Sequence, residues 1–202
     1  MQPTPRTAPA ADAAHAADTA PAPAVASATE QDMLDFAHKM FGYARSGDAE
    51  GLQPMLERGL PPNMGNHKGD TLLMLASYHG HLDATRLLLQ HGADPDRSND
   101  MAQTPLAGAA FKGNLAMAEL LLAHGARAEF APPGGKTALM FAAMFNRTAI
   151  VDLLLAHGAS PTTRSSDGLT PLDLARTMGA ADTAAQLERL GGQALSEGMK
   201  EP

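Results

Sequence analysis

The sequence predicts an all-α repeat solenoid: helix–turn–helix units joined by hairpin loops, about five units including degenerate caps. Three registers carry that expectation. Thr71, Thr104, Thr137 and Thr170 stand 33 residues apart, and so do Gly59, Gly92, Gly125 and Gly158. The triplet Leu87-Leu88-Leu89 returns in the same phase as Leu120-Leu121-Leu122 and Leu153-Leu154-Leu155. Landmarks of different chemistry that share one period mark supersecondary units, none of which can bury its apolar face alone.

Taken in order, residues 1–29 are rich in Ala, Pro and Thr and contain no Leu, Ile or Phe. Pro, Asp and His interrupt every Ala run, so this segment reads as a disordered tail or tether. The other reading is a linker behind a signal peptide removed before this numbering begins. The repeat domain spans 30–190. Its first unit, 34–66, is a degenerate cap that keeps Gly47, Leu56 and Gly59 but lacks a Thr-Pro opening. The full units are 67–99, 100–132 and 133–165.

In each unit a Thr opens a short helix, as in "TLLMLASYHG", "TPLAGAAFKG" and "TALMFAAMFN". Thr caps helices well, and Pro at the next position suits the first turn. Gly near the tenth position ends the helix. In the third full unit Asn146 stands there, and Asn also enters the left-handed region readily. A second helix follows, with Leu82, Leu87, Leu88 and Leu89 at helical spacing in the first full unit. A His-Gly pair closes it, and about ten residues rich in Asp, Asn, Pro, Ser and Gly suit a hairpin or extended turn. The last unit, 166–190, opens with "TPLDLARTMG". Its second helix carries Asp182, Gln186, Glu188 and Arg189, so it is expected to face water as a cap. Residues 191–202 read as a flexible C-terminal tail.

The 33-residue period, "TPL", and "GA" behind a Leu-rich second helix together resemble the ankyrin repeat family, over roughly residues 34–190. The resemblance extends to short bacterial ankyrin proteins, where "LLLAHGA" units are common. One departure is consistent. The family's His after "TPL" is replaced by Met74, Ala107, Met140 and Asp173. The hydrogen bonds that His supplies must then come from elsewhere or be missing.

Composition narrows the function. The formal net charge is −7, which argues against nucleic acid or an anionic membrane as the main partner. No Cys is present, so disulfides, thiol catalysis and thiolate metal sites are excluded. No stretch approaches the ~18 apolar residues of a membrane span. A cytoplasmic location is expected, or a periplasmic one if a signal peptide precedes this numbering.

Chemistry-bearing motifs dissolve into the repeat. Gly134-Gly135-Lys136-Thr137 resembles the end of a nucleotide-binding loop. That loop needs a Gly where Phe130 stands, and an apolar strand where "HGARAEFAPP" stands. Thr137 falls on the helix-opening register, so the segment reads as a hairpin tip with two glycines in unusual backbone conformations. His79, His81 and His91 lack a helical H-x-x-x-H pair and completing carboxylates. His91, His124 and His157 recur one per unit. Stacked helices lie about 10 Å apart and zinc–nitrogen bonds measure about 2 Å, so these three cannot share an ion. Their expected place is at helix C-termini, bonding free carbonyls. Asp94 and Asp96 are turn formers, and no nucleophile or carboxylate pair has catalytic context. No enzyme activity, cofactor or metal is expected.

The resemblance implies that the last two residues of each first helix face a concave groove. Here these are Tyr78 and His79, Phe111 and Lys112, Met144 and Phe145, and Thr177 and Met178. Aromatics and Met in a row suit a protein-binding surface. Phe141, followed by Ala142 and Ala143, is expected in the core. The hairpin tips would form the rim, with His67, Lys68 and Asp70; Asp100, Met101 and Gln103; Gly134 and Lys136; and Asp167 and Leu169. Lys68, Lys112 and Lys136 make this side less acidic than the whole chain and leave room for an acidic partner segment. The expected function is therefore a monomeric, non-catalytic module gripping one protein partner. The alternatives are a self-assembly element, with the groove closed by its own tail or another copy, and a small-ligand site at residues 132–137.

Overall fold

The computed structural model describes residues 29–198. Of the tail expected over residues 1–29, residues 1–28 lie outside them, as do residues 199–202, and Thr29 is instead the N-cap of the first helix. Ten helices form five antiparallel pairs among the described residues. They are α1 (Glu30–Ser46) with α2 (Ala49–Glu57), α3 (Leu72–Tyr78) with α4 (Leu82–Gln90), and α5 (Pro105–Lys112) with α6 (Leu115–Ala123). Then come α7 (Ala138–Met144) with α8 (Thr148–Ala156), and α9 (Pro171–Thr177) with α10 (Ala181–Gly198). The first helices pack in the row α1–α3–α5–α7–α9, and the second helices form a row behind them. The helix α10 runs past residue 190, so residues 191–198, expected in a flexible tail, are helical.

The repeat register becomes a packing register. Leu88, Leu121 and Leu154 are fully buried on the second helices, and Leu73, Leu106 and Leu139 are buried on the first. Ala76, Ala109, Ala142 and Ala175 have no exposed surface at all. A methyl group at that position lets neighbouring first helices approach closely. Each fully buried Leu contributes about 1.5–3 kcal/mol relative to exposure.

Thr71, Thr104, Thr137 and Thr170 all sit in extended backbone as N-caps. Each hydroxyl accepts from the N–H three residues on, at 3.1 to 3.2 Å. Those N–H groups belong to Met74, Ala107, Met140 and Asp173, where the family's His would stand. Met74, Ala107 and Met140 are buried there as packing residues. Asp173 instead accepts from the N–H and hydroxyl of Thr170, which hold its carboxyl below the usual carboxylate range.

The units are stitched by side chains in register. Asn63, Asp96 and Glu129 are 33 residues apart. They accept from the backbone N–H of Asp94, Arg127 and Ser160 in the next unit, at 2.7, 3.0 and 2.7 Å. Asp96, expected only as a turn former, therefore joins two units.

The first helices end on Gly80, Gly113 and Gly179 in the left-handed region, and Asn146 takes the same conformation at φ 58°. A Cβ on Gly113 would lie 2.9 Å from the Arg147 side chain and one on Gly47 2.5 Å from His81, while one on Gly80 would meet Asn114 at an ordinary 3.4 Å. The last unit puts the small Ala180 at that position. Asn146 therefore has room, and its side chain reaches forward. Its Oδ1 accepts from Thr183 N–H at 3.0 Å and its Nδ2 donates to Asp182 at 2.8 Å. It does for α10 what an N-cap residue does for its own helix. Gln186, expected to face water, is buried and donates to Thr148 O at 3.2 Å and to Asp152.

Candidate functional site

The loops between units set the rim of the concave face. Residues 66–70, 99–103 and 165–169 each close with an N–H···O bond from the first residue to the fifth, through Asn66, Asn99 and Ser165. Asn66 Oδ1 accepts from the N–H of Lys68 and of Asp70, and Asn99 Oδ1 from the N–H of Met101 and of Gln103. Asn99 Nδ2 also donates to Asp70 at 2.8 Å and to Gln103 at 3.2 Å, and the Asp100 N–H donates to Lys68 O. These Asn clasps tie loop to loop where the family's His is missing. They also engage Asp70 and Gln103, two of the expected rim residues.

The loop carrying Gly134-Gly135-Lys136 differs. Pro132 stands at the register of Asn66 and Asn99 and has no N–H to close the loop. Gly134 takes φ 73°, but Gly135 does not enter the left-handed region, contrary to the expectation of two unusual glycines. Gly135 is needed for space, since a Cβ there would lie 2.7 Å from Ala102 O and 2.9 Å from Pro132 Cγ. The loop is packed against its neighbour rather than opened around a ligand. Ala102 itself holds φ 54° where Gly69 and Gly168 stand in the other loops.

Between the first two of these loops and helices α3 and α5 lies a cleft of about 530 Å³. That is within the range of ~300–1,000 Å³ usual for binding clefts. Lys68, Asp70, Tyr78, His79, Met101, Gln103 and Phe111 all line it. Its floor is Met74, Leu75, Ala107 and Gly108, and Phe141 closes the far side. Phe141 is therefore half-buried and shared between core and groove, not withdrawn into the core as expected. Lys112, Met144, Phe145, Met178 and Lys136 lie outside the cleft.

The aromatics are paired. Phe111 meets Phe145 edge-to-face with ring centres 4.6 Å apart, and both are half-buried. Lys112 places Nζ 4.3 Å from the centre of the Tyr78 ring. Tyr78 is 40% exposed, Met178 51% and Met101 73%, so these three remain open while Phe111, Met144 and Phe145 are partly covered. Burial and then the positive charges of His81, Arg45 and Lys112 hold the His79 imidazole below its ordinary pKa.

Sequence reasoning missed Asn99 and Gly108. The signals were present: Asn66 and Asn99 are one period apart, and Leu75, Gly108, Phe141 and Leu174 form another register. Elsewhere, His91 and His157 place Nδ1 2.9 Å from Leu87 O and Leu153 O. A carbonyl only accepts, so each Nδ1 carries a proton and donates at a helix C-terminus.

No group of three His, Asp or Glu among the described residues could hold a metal ion. No described helix is long and apolar enough to cross a membrane.

Comparison with known proteins agrees with this architecture. A family model for ankyrin repeats in three copies matches residues 40–131, and another for ankyrin repeats in many copies matches 130–175. A Pseudomonas aeruginosa protein, described by its name as an ankyrin repeat protein, is 55% identical over 58 residues. That match covers 29% of this chain and 34% of the relative's length. Ankyrin repeats are generally protein-interaction modules and typically non-catalytic. With five helix pairs, Thr-opened first helices and two ankyrin family models matching residues 40–175 between them, the chain belongs to the ankyrin repeat family.

Proposed function

We propose that this chain is a non-catalytic module that grips one partner protein through its concave face and loop tips. The observation that carries the reading is the cleft between α3 and α5, where exposed Tyr78 and Met101 flank an apolar floor. Apolar anchors ringed by polar loops are the usual anatomy of a binding surface. The Asn clasps hold that surface preformed, so little ordering is needed on binding. The proposed contacts are Tyr78, His79, Phe111, Lys112, Met144, Phe145 and Met178, with Lys68, Asp70, Met101, Gln103 and Lys136 at the rim.

Partner capture by the full chain tests this. Tyr78→Ala with Met101→Ala should abolish recovery of the partner while helicity and Tm stay near wild type, since both side chains are exposed. Full recovery by the folded double variant would refute the groove. The phosphate reading of the 132–137 loop is weaker, because Gly135 is packed against Ala102 and Pro132.

A further inference from the structure

The cleft has a specific origin. On the first helices, Leu75, Gly108, Phe141 and Leu174 occupy one position of the repeat. Three of the four carry large side chains on that row. At Gly108 the row is interrupted, and the cleft lies over the interruption, with Leu75 and Phe141 on either side. The backbone does not demand this glycine, because Gly108 is not among the positive-φ residues. A Cβ there would meet only Tyr78 Cδ2, at an ordinary 3.6 Å. A glycine inside a helix costs about 1 kcal/mol relative to Ala. What it provides here is space for one side chain from outside.

Charge is unevenly placed around that space. At the loop end stand Lys68, Asp70 and Asp100, and the Asp70 carboxylate already accepts from Asn66 and Asn99. At the helix end stand Tyr78 and His79, with Lys112 over the Tyr78 ring. The two permanently charged groups that act on His79, Arg45 and Lys112, are both cations. On a chain of net charge −7 this is a local positive corner.

We infer that the gap over Gly108 is an anchor pocket. It takes one large apolar side chain from an acidic segment of a partner protein, whose carboxylates lie against Lys112. The inference rests on the groove reading above and names the chemistry of the partner. The apolar side chain replaces the one that the repeat register omits, between Leu75 and Phe141. The carboxylates answer the positive corner and fix the direction of the segment across the groove.

Selection of random linear peptides displayed on phage against the full chain tests the inference, followed by anisotropy measurements on the enriched peptides. The expected sequences carry one Leu, Met or Phe with Asp or Glu close by. Gly108→Leu, which fills the gap from inside, should weaken them at least about thirtyfold, the scale of one lost anchor. Gly108→Ala should leave binding unchanged. Lys112→Glu should weaken it about fivefold, more at low salt.

Enriched peptides that lack an apolar anchor or are basic overturn the inference, and so does a failure to enrich any. Binding kept by a folded Gly108→Leu chain but lost with Tyr78→Ala removes the anchor and leaves the groove reading standing. Binding indifferent to both Tyr78→Ala and Met101→Ala removes the groove reading itself. If Gly108→Leu unfolds, Lys112→Glu on the exposed face decides: unchanged affinity overturns the inference.

Discussion

Between α3 and α5 the concave face opens into a cleft over Gly108, whereas between α7 and α9 the same register is occupied by Phe141 and Leu174. Beside them Phe111 and Phe145 lock edge-to-face across the boundary between the two regions. The Thr caps and the alanine row are alike in both. One missing side chain and one aromatic pair account for the difference. A solenoid therefore separates two tasks: a fixed register keeps the stack, and the row facing the groove is free to vary without disturbing it.

Substitutions can break that comparison or sharpen it. The largest effect is expected in the shared core. Leu106→Ala below the cleft and Leu139→Ala below the filled half should each cost about 2–5 kcal/mol. Similar values from urea denaturation would show that the cleft does not weaken its half; a much smaller cost at Leu106 would break the equivalence. Next is Asn146→Ala, confined to the C-terminal half. It removes the cap of α10 and puts Ala at positive φ, for a loss of about 2 kcal/mol. Asn146→Gly should recover the backbone share of that loss but not the cap.

Two changes in the open half should stabilise. Gly108→Ala removes a helical glycine and Ala102→Gly relieves φ 54°, each gaining about 1 kcal/mol in urea denaturation. A loss at either site would contradict the local geometry. The smallest effect is the pH response at His79. Its pKa is held below the ordinary value near 6.5, so the unfolded chain binds the proton more readily. Stability from this group is complete above about pH 6.5 and is lost as pH falls towards the lowered folded value. The drop in Tm from about pH 7.5 to about pH 5.5 should be smaller in His79→Gln than in wild type.

The fold was legible because it is written several times over. Thr caps, helix-ending Gly and buried Leu each recur in one register, and local chemistry agrees with packing at every one of them. The site was legible only in part. The family resemblance, applied in repeat phase, pointed to Tyr78, His79 and Phe111 for the groove and to Met101 and Lys68 for its rim, and all five line the cleft. Gly108 escaped because a missing side chain is invisible until its neighbours are seen in three dimensions. Phe141 was read as core because two alanines follow it, yet the gap at Gly108 leaves one of its faces open. Gln186 reads as a solvated residue on a cap helix, but the facing Thr148 carbonyl and Asp152 turn it inward.

Asn146 limits how far these units are interchangeable. A repeat array grows by duplication, and equal periods suggest that any unit can follow any other. Here the terminal pair of helices borrows its cap from the unit before it. Moved behind Gly80 or Gly113, α10 would start without the amide that meets its Thr183 N–H. In exchange, the unit carrying His81 or Arg147 placed behind Asn146 would drive that side chain into the Asn. The end of the stack is thus keyed to one predecessor, and shuffling its units would show a preferred order that the 33-residue period conceals.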